Sequence, residues 1–174
     1  MMQNLTHLEI ERQIVEILPE LRPAANYYWR VQGEPGADPG PYVFFEDMFG
    51  AFVTILLAMR DSPGRDELLR RAFGLIGTML VGGDEAVRDL AFIGLLESQG
   101  AWWRRAAERF MGPAARRELD EREPWWRTET AGPPPDDAEF IDLYGVRCLI
   151  AHELATEGIA LENVPGTTHR SEAN

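Results

Sequence analysis

Apolar positions recur at helical spacing along almost the whole chain, repeatedly interrupted by proline, glycine and capping residues. Thr6 with Glu9 reads as a capping box, and Ile10, Ile14, Ile17 or Leu18, and Leu21 follow on one face. Pro19 and Pro23 divide what comes next, predicting a helix to about Leu18 and a shorter one through ANYYWRV. The turn-rich QGEPGADPGP at 32–41 cannot continue it. VFFEDMFGAFVTILLAMR is apolar on most sides, which predicts a central core helix. Its opening, YVFFE, also fits a short strand, because aromatic and β-branched residues dominate there. Asp61 and Ser62 then offer a cap, with Pro63 in the favourable first turn of the next helix.

The following segment places Leu69, Phe73, Ile76 and Leu80 on one face. Gly82 and Gly83 permit a left-handed exit, and Asp84 can cap the next helix. Helices near 65–81 and 85–98 are therefore expected to form an antiparallel pair. In the second, Val87, Leu90, Ala91, Gly94 and Leu95 make a broad stripe. Gly94 costs about 1 kcal/mol of helix propensity relative to alanine, which is reasonable where another helix approaches closely. Glu97 falls three residues from Gly94 and seven from Leu90, so spacing predicts a partly buried carboxylate that anchors the helix end.

AWWRRAAERFM and AARRELDERE read as two more helices, and PWWR at 124–127 closes the core with aromatic rings. The linker 128–136 has no hydrophobic drive of its own. Asp137 caps a last helix with Phe140, Leu143, Val146, Ile150 and Leu154 along one side, and Gly158 ends it. The pattern predicts an all-α fold, an irregular bundle of about six to seven helices with antiparallel neighbours. It occupies one domain over 1–157, followed by a flexible C-terminal segment at 158–174.

At 174 residues and 45% apolar content, the chain can bury a continuous core. Its uncharged runs, 48–59 and 72–83, fall short of the roughly 20 residues that cross a bilayer and read as buried helices. No apolar stretch of the secretory type follows the start, and a single cysteine excludes an internal disulfide; both fit a cytoplasmic location. All 17 basic residues are arginine, against 29 acids, giving a net charge of −12. That charge disfavours nucleic acid and anionic membrane and attracts a basic partner. The surplus sits at the ends: residues 1–60 carry eight acids and four arginines, 61–127 twelve and eleven, and 128–174 nine and two.

Few residues suggest chemistry. Cys148 and His152 are four apart and share a helix face, but zinc needs three or four ligands. Glu153 does not complete the pattern, because HELAT lacks the second histidine of a zincin helix. His7 and Glu11 form another such pair, and a His/carboxylate metal site for an enzyme would require the first and last helices to meet. No metal and no cofactor are expected. The aromatic groups Tyr28 and Trp29, Trp102 and Trp103, and Trp125 and Trp126 suggest partner contact instead, because adjacent helical residues cannot all enter one narrow stripe. Glu139 and Asp142 add acidic positions to that candidate partner-binding set.

The stretch RRAFGLIGTMLVGGDEAVRDLAFIGLLESQ at 70–99 resembles the core of small bacterial helical proteins of uncharacterised biochemistry, encountered among the immunity proteins that accompany polymorphic toxins. Phe73, Gly83, Asp84, Val87 and the Leu96–Glu97 pair match the recurrent pattern, and VFFEDMFGAF with the proline-bearing early helix is similar to the front half. The resemblance covers about two thirds of the chain and leaves the C-terminal part outside. It implies a non-catalytic protein-binding domain that neutralises a toxin and names no catalytic residue. A structural or regulatory interaction protein is the alternative, and a metal-dependent enzyme the third.

Overall fold

The computed structural model describes residues 6–132 apart from 8, 34, 36–39 and 98. Among these residues there are seven helices and no strand. They are α1 (Ile10–Ile17), α2 (Arg22–Gln32), α3 (Pro41–Ala58), α4 (Pro63–Gly82), α5 (85–97), α6 (Ala101–Ala107) and α7 (Pro113–Arg122). Single 3₁₀ turns at Pro19–Leu21 and Pro124–Arg127 precede α2 and follow α7. The last helix expected from Asp137 onward, and the segment 158–174, lie outside the described residues.

α3 is the central strut. Phe44, Phe45, Met48, Phe49 and Phe52 are fully buried, and α1, α4, α5 and α6 all pack against it. By length and composition it could cross a membrane, yet 61% of it is buried inside the domain, as the core helix of a bundle is. YVFFE is thus helical, not a strand. The reason is that Pro41 starts the helix after Gly40, whose φ of 89° suits glycine, and every ring then finds a helix to pack on. At the other end of the loop, Gln32 belongs to α2 and Gly33, at φ 121°, ends it.

Two helices contain π turns, at Phe45–Gly50 in α3 and Phe92–Glu97 in α5, and these turns face each other. Gly94 is the contact point: a Cβ there would sit 3.0 Å from Cδ1 of Phe45. The close approach expected from Gly94 is therefore present. Phe45 is fully buried, with its ring centroid 4.8 Å from that of Phe49, so it has nowhere to retreat. Gly94→Ala is expected to lose about 1 kcal/mol despite its better helix propensity. Gly74→Ala, on the exposed side of α4 with nothing within 4 Å of the new methyl, should gain about 0.5–1 kcal/mol. Urea denaturation of both variants checks the opposite signs.

The caps around α4 follow the sequence closely. Ser62 Oγ accepts the Arg65 N–H at 3.2 Å, Pro63 fills the first turn, and Asp84 Oδ1 accepts the Val87 N–H at 2.9 Å to start α5. The left-handed exit does not occur. Gly82 is still helical and Gly83 has φ −75°; glycine is needed at 83 for space, since a Cβ would lie 2.5 Å from both Met79 O and Val87 Cγ1. The Thr6–Glu9 capping box also forms differently. The Thr6 hydroxyl donates to Glu9 Oε2 at 2.7 Å, and α1 begins at Ile10 with no side-chain cap.

Candidate functional site

The six candidate aromatics divide sharply. Trp126 is fully buried and donates its indole N–H to Asp120 at 2.8 Å; Trp103 is buried and donates to Thr54 Oγ1 at 3.0 Å. Tyr28 is buried edge-on against Phe44, with centroids 5.4 Å apart. These three rings belong to the core, so the expectation that they meet a partner is corrected. Trp29 is half-buried, stacked on Phe44 at 5.7 Å. Trp102 is half-buried against the core, and Trp125 alone stands 53% exposed. Adjacent tryptophans thus split as the turn of the backbone requires, one ring inward and its neighbour outward.

Glu11 is 2% exposed, and its Oε2 accepts the Trp29 indole N–H at 2.7 Å. That bond ties α1 to α2 and makes Glu11 a structural acceptor, in place of the expected metal ligand. His7 is half-buried with its ring 5.7 Å from that of Tyr42. No three His, Cys, Asp or Glu side chains gather as a metal site among the described residues. Cys148, His152, Glu153, Glu139 and Asp142 lie outside them.

Glu97 is exposed, which corrects its expected partial burial. A π turn holds more residues than an α turn, so across Phe92–Glu97 the chain lags the 3.6-residue ruler, and residue 97 no longer lies over the Leu90–Gly94 stripe. The anchoring role falls to Arg104, which spacing had put among the exposed arginines of α6. Its guanidinium, in a residue 4% exposed, donates to the Glu97 carbonyl at 3.0 Å, pairs with Glu123, and reaches Glu129 at 3.2 Å. One side chain thus joins the end of α5 to α6, to the end of α7 and to the chain beyond the final 3₁₀ turn. Glu129 was expected in the free linker and instead folds back onto that turn, its N–H bonding Trp125 O at 3.1 Å. Burial pushes the Glu123 carboxyl up; Arg104 opposes this, while Glu97 and Glu129 add to it.

Arg65 is the second buried cation. Its Nε donates to Leu56 O at 2.7 Å and Nη2 to Leu57 O at 3.2 Å, satisfying carbonyls at the end of α3. It also pairs with Asp61 and Asp66, to which Arg109 adds contacts at 2.9 and 3.3 Å. The Arg109 hydrogen bond, with the two nearby guanidinium charges and the Arg65 hydrogen bond, outweighs burial and holds the Asp61 carboxyl below its ordinary value. The contribution of Asp61 to stability is therefore present above the ordinary aspartate range and lost as pH falls through its lowered value. Asp61→Asn should flatten the acid limb of a melting temperature against pH profile; an unchanged limb would refute the assignment.

Neither Arg65 nor Arg104 was singled out from sequence. The available signals were Asp61 four residues before Arg65, and Arg104 directly beside a tryptophan in an otherwise small-residue helix.

Charge is unevenly placed relative to this domain. Residues 11–127 carry 19 acids and 15 arginines, almost all the arginine of the chain, whereas 128–174 carry nine acids and two arginines. No curated protein and no solved structure matches the chain. Residues 11–127, which hold the π-turn contact and both buried arginines, match the family described as Domain of unknown function (DUF7674), and the chain belongs to that family.

Proposed function

We propose that this is a cytoplasmic, non-catalytic domain that binds another protein, and that its partner is a basic bacterial toxin which it neutralises. The observation that carries this reading is the segregation of charge. The family domain is close to balanced, and the residues after it supply most of the surplus acid. Such a distribution attracts a cationic surface, speeds encounter and repels nucleic acid. The resemblance of residues 70–99 to immunity proteins supplies the identity of the partner. Trp125, exposed where the acidic stretch begins, offers ring area at low entropic cost.

Co-expression with the product of the adjacent reading frame tests it. Rescue from killing, with a complex that weakens as salt rises, is the expected result. Unchanged killing together with no complex at low salt would overturn the reading.

A further inference from the structure

The domain ends in a basic corner. Residues 99–132 carry seven arginines and six acids, and Arg109, Arg117, Arg122 and Arg127 are exposed. The same corner holds Trp125, 53% exposed, on the 3₁₀ turn after α7. Arg105, three residues after the half-buried Trp102, donates to the carbonyl of Arg127, so α6 and this turn lie side by side. The chain then runs on for 42 residues past 132, with eight acids and two arginines. Within that stretch Phe140, Leu143, Ile150 and Leu154 fall on one side of the helix the sequence predicts. Glu139, Asp142, Glu153 and Glu157 fall within an arc of about 60° on another side. An amphipathic helix of this kind is not stable without a surface for its apolar side.

We propose that residues 138–157 of this chain dock on the face formed by Trp125, α6 and α7. Three features select this occupant and this place. The five residues 133–137 reach at most about 18 Å, which keeps the start of the segment near the turn that carries Trp125. Acid meets arginine across the contact. The apolar side of the segment covers Trp125, while its acidic arc stays outward. The arrangement stands whether or not the partner is a toxin.

The test uses the full chain in a Cys148→Ser, Glu153→Cys background, with a spin label on the new thiol, which lies on the acidic arc. The expected result is loss of the amide signals of Trp102, Arg117, Trp125 and Arg127 while the label is paramagnetic, with recovery on its reduction. A further Trp125→Ser change should restore those signals without altering the melting temperature of the domain. Signals lost instead around Gly74 and Thr78 of α4, or none lost, would overturn the proposal. So would loss only when labelled chain is mixed with unlabelled chain, which would make the occupant a second copy.

Discussion

Arg104→Ala is expected to destabilise the domain by about 3–5 kcal/mol, the range for removing one partner of a buried ion pair. The loss is large because the substitution strands several groups at once. The Glu97 carbonyl loses its donor, and Glu123, 9% exposed, keeps its charge with only Glu97 and Glu129 for neighbours. Its carboxyl then rises further than burial already pushes it. A carboxyl raised in the folded state adds stability below the ordinary glutamate range that is lost as pH rises through the raised value. The deficit of the variant should therefore shrink on acidification. Arg104→Met combined with Glu123→Gln removes both charges and should recover much of the loss, as buried pairs replaced together often do. Urea denaturation at neutral and acidic pH reads all three. A deficit under 1 kcal/mol that is constant with pH would show that Arg104 is not the anchor.

The two tryptophans of PWWR should part company just as sharply. Trp126→Ala removes a fully buried indole and orphans its hydrogen bond to Asp120, for an expected loss of about 3–5 kcal/mol. Arg127 lies over the same ring at 4.4 Å and holds Asp120 at 2.8 and 3.0 Å, so the turn loses its packing on two sides. Trp125→Ala should change stability by no more than about 0.5 kcal/mol, as surface substitutions do. If neutralisation is the function, it should nonetheless weaken the complex. Equal losses in the two variants would mean that Trp125 also closes the core.

What could be read from the sequence was local. The caps at Ser62 and Asp84 need only residues three apart, and Gly94 declared a close approach through its own cost in helix propensity. Which member of each aromatic pair turns inward was not readable. Trp103 is fixed by Thr54, 49 residues away, and Trp29 by Glu11, 18 away, and no window on the chain contains both ends of either bond. Glu97 was misplaced for a different reason: a single helical ruler was laid across a segment whose pitch changes at Phe92. The same change in α3 explains why its sequence looked apolar on most sides, since residues before and after Phe45–Gly50 follow two rulers out of phase.

The facing π turns also set rules for how this chain can vary in length. Each wide turn amounts to one extra residue in its helix, so losing that residue restores α geometry and rotates everything beyond it by about 100°. In α3 that would swing Phe52, Ile55 and Leu56 out of the core, and in α5 it would carry Leu95 and Leu96 away from it. Deletions inside either turn should thus be rejected singly. Within the family, homologues that gap at one of these two places are expected to carry compensating changes at the other, whereas the loop at 33–40 is free to differ in length on its own.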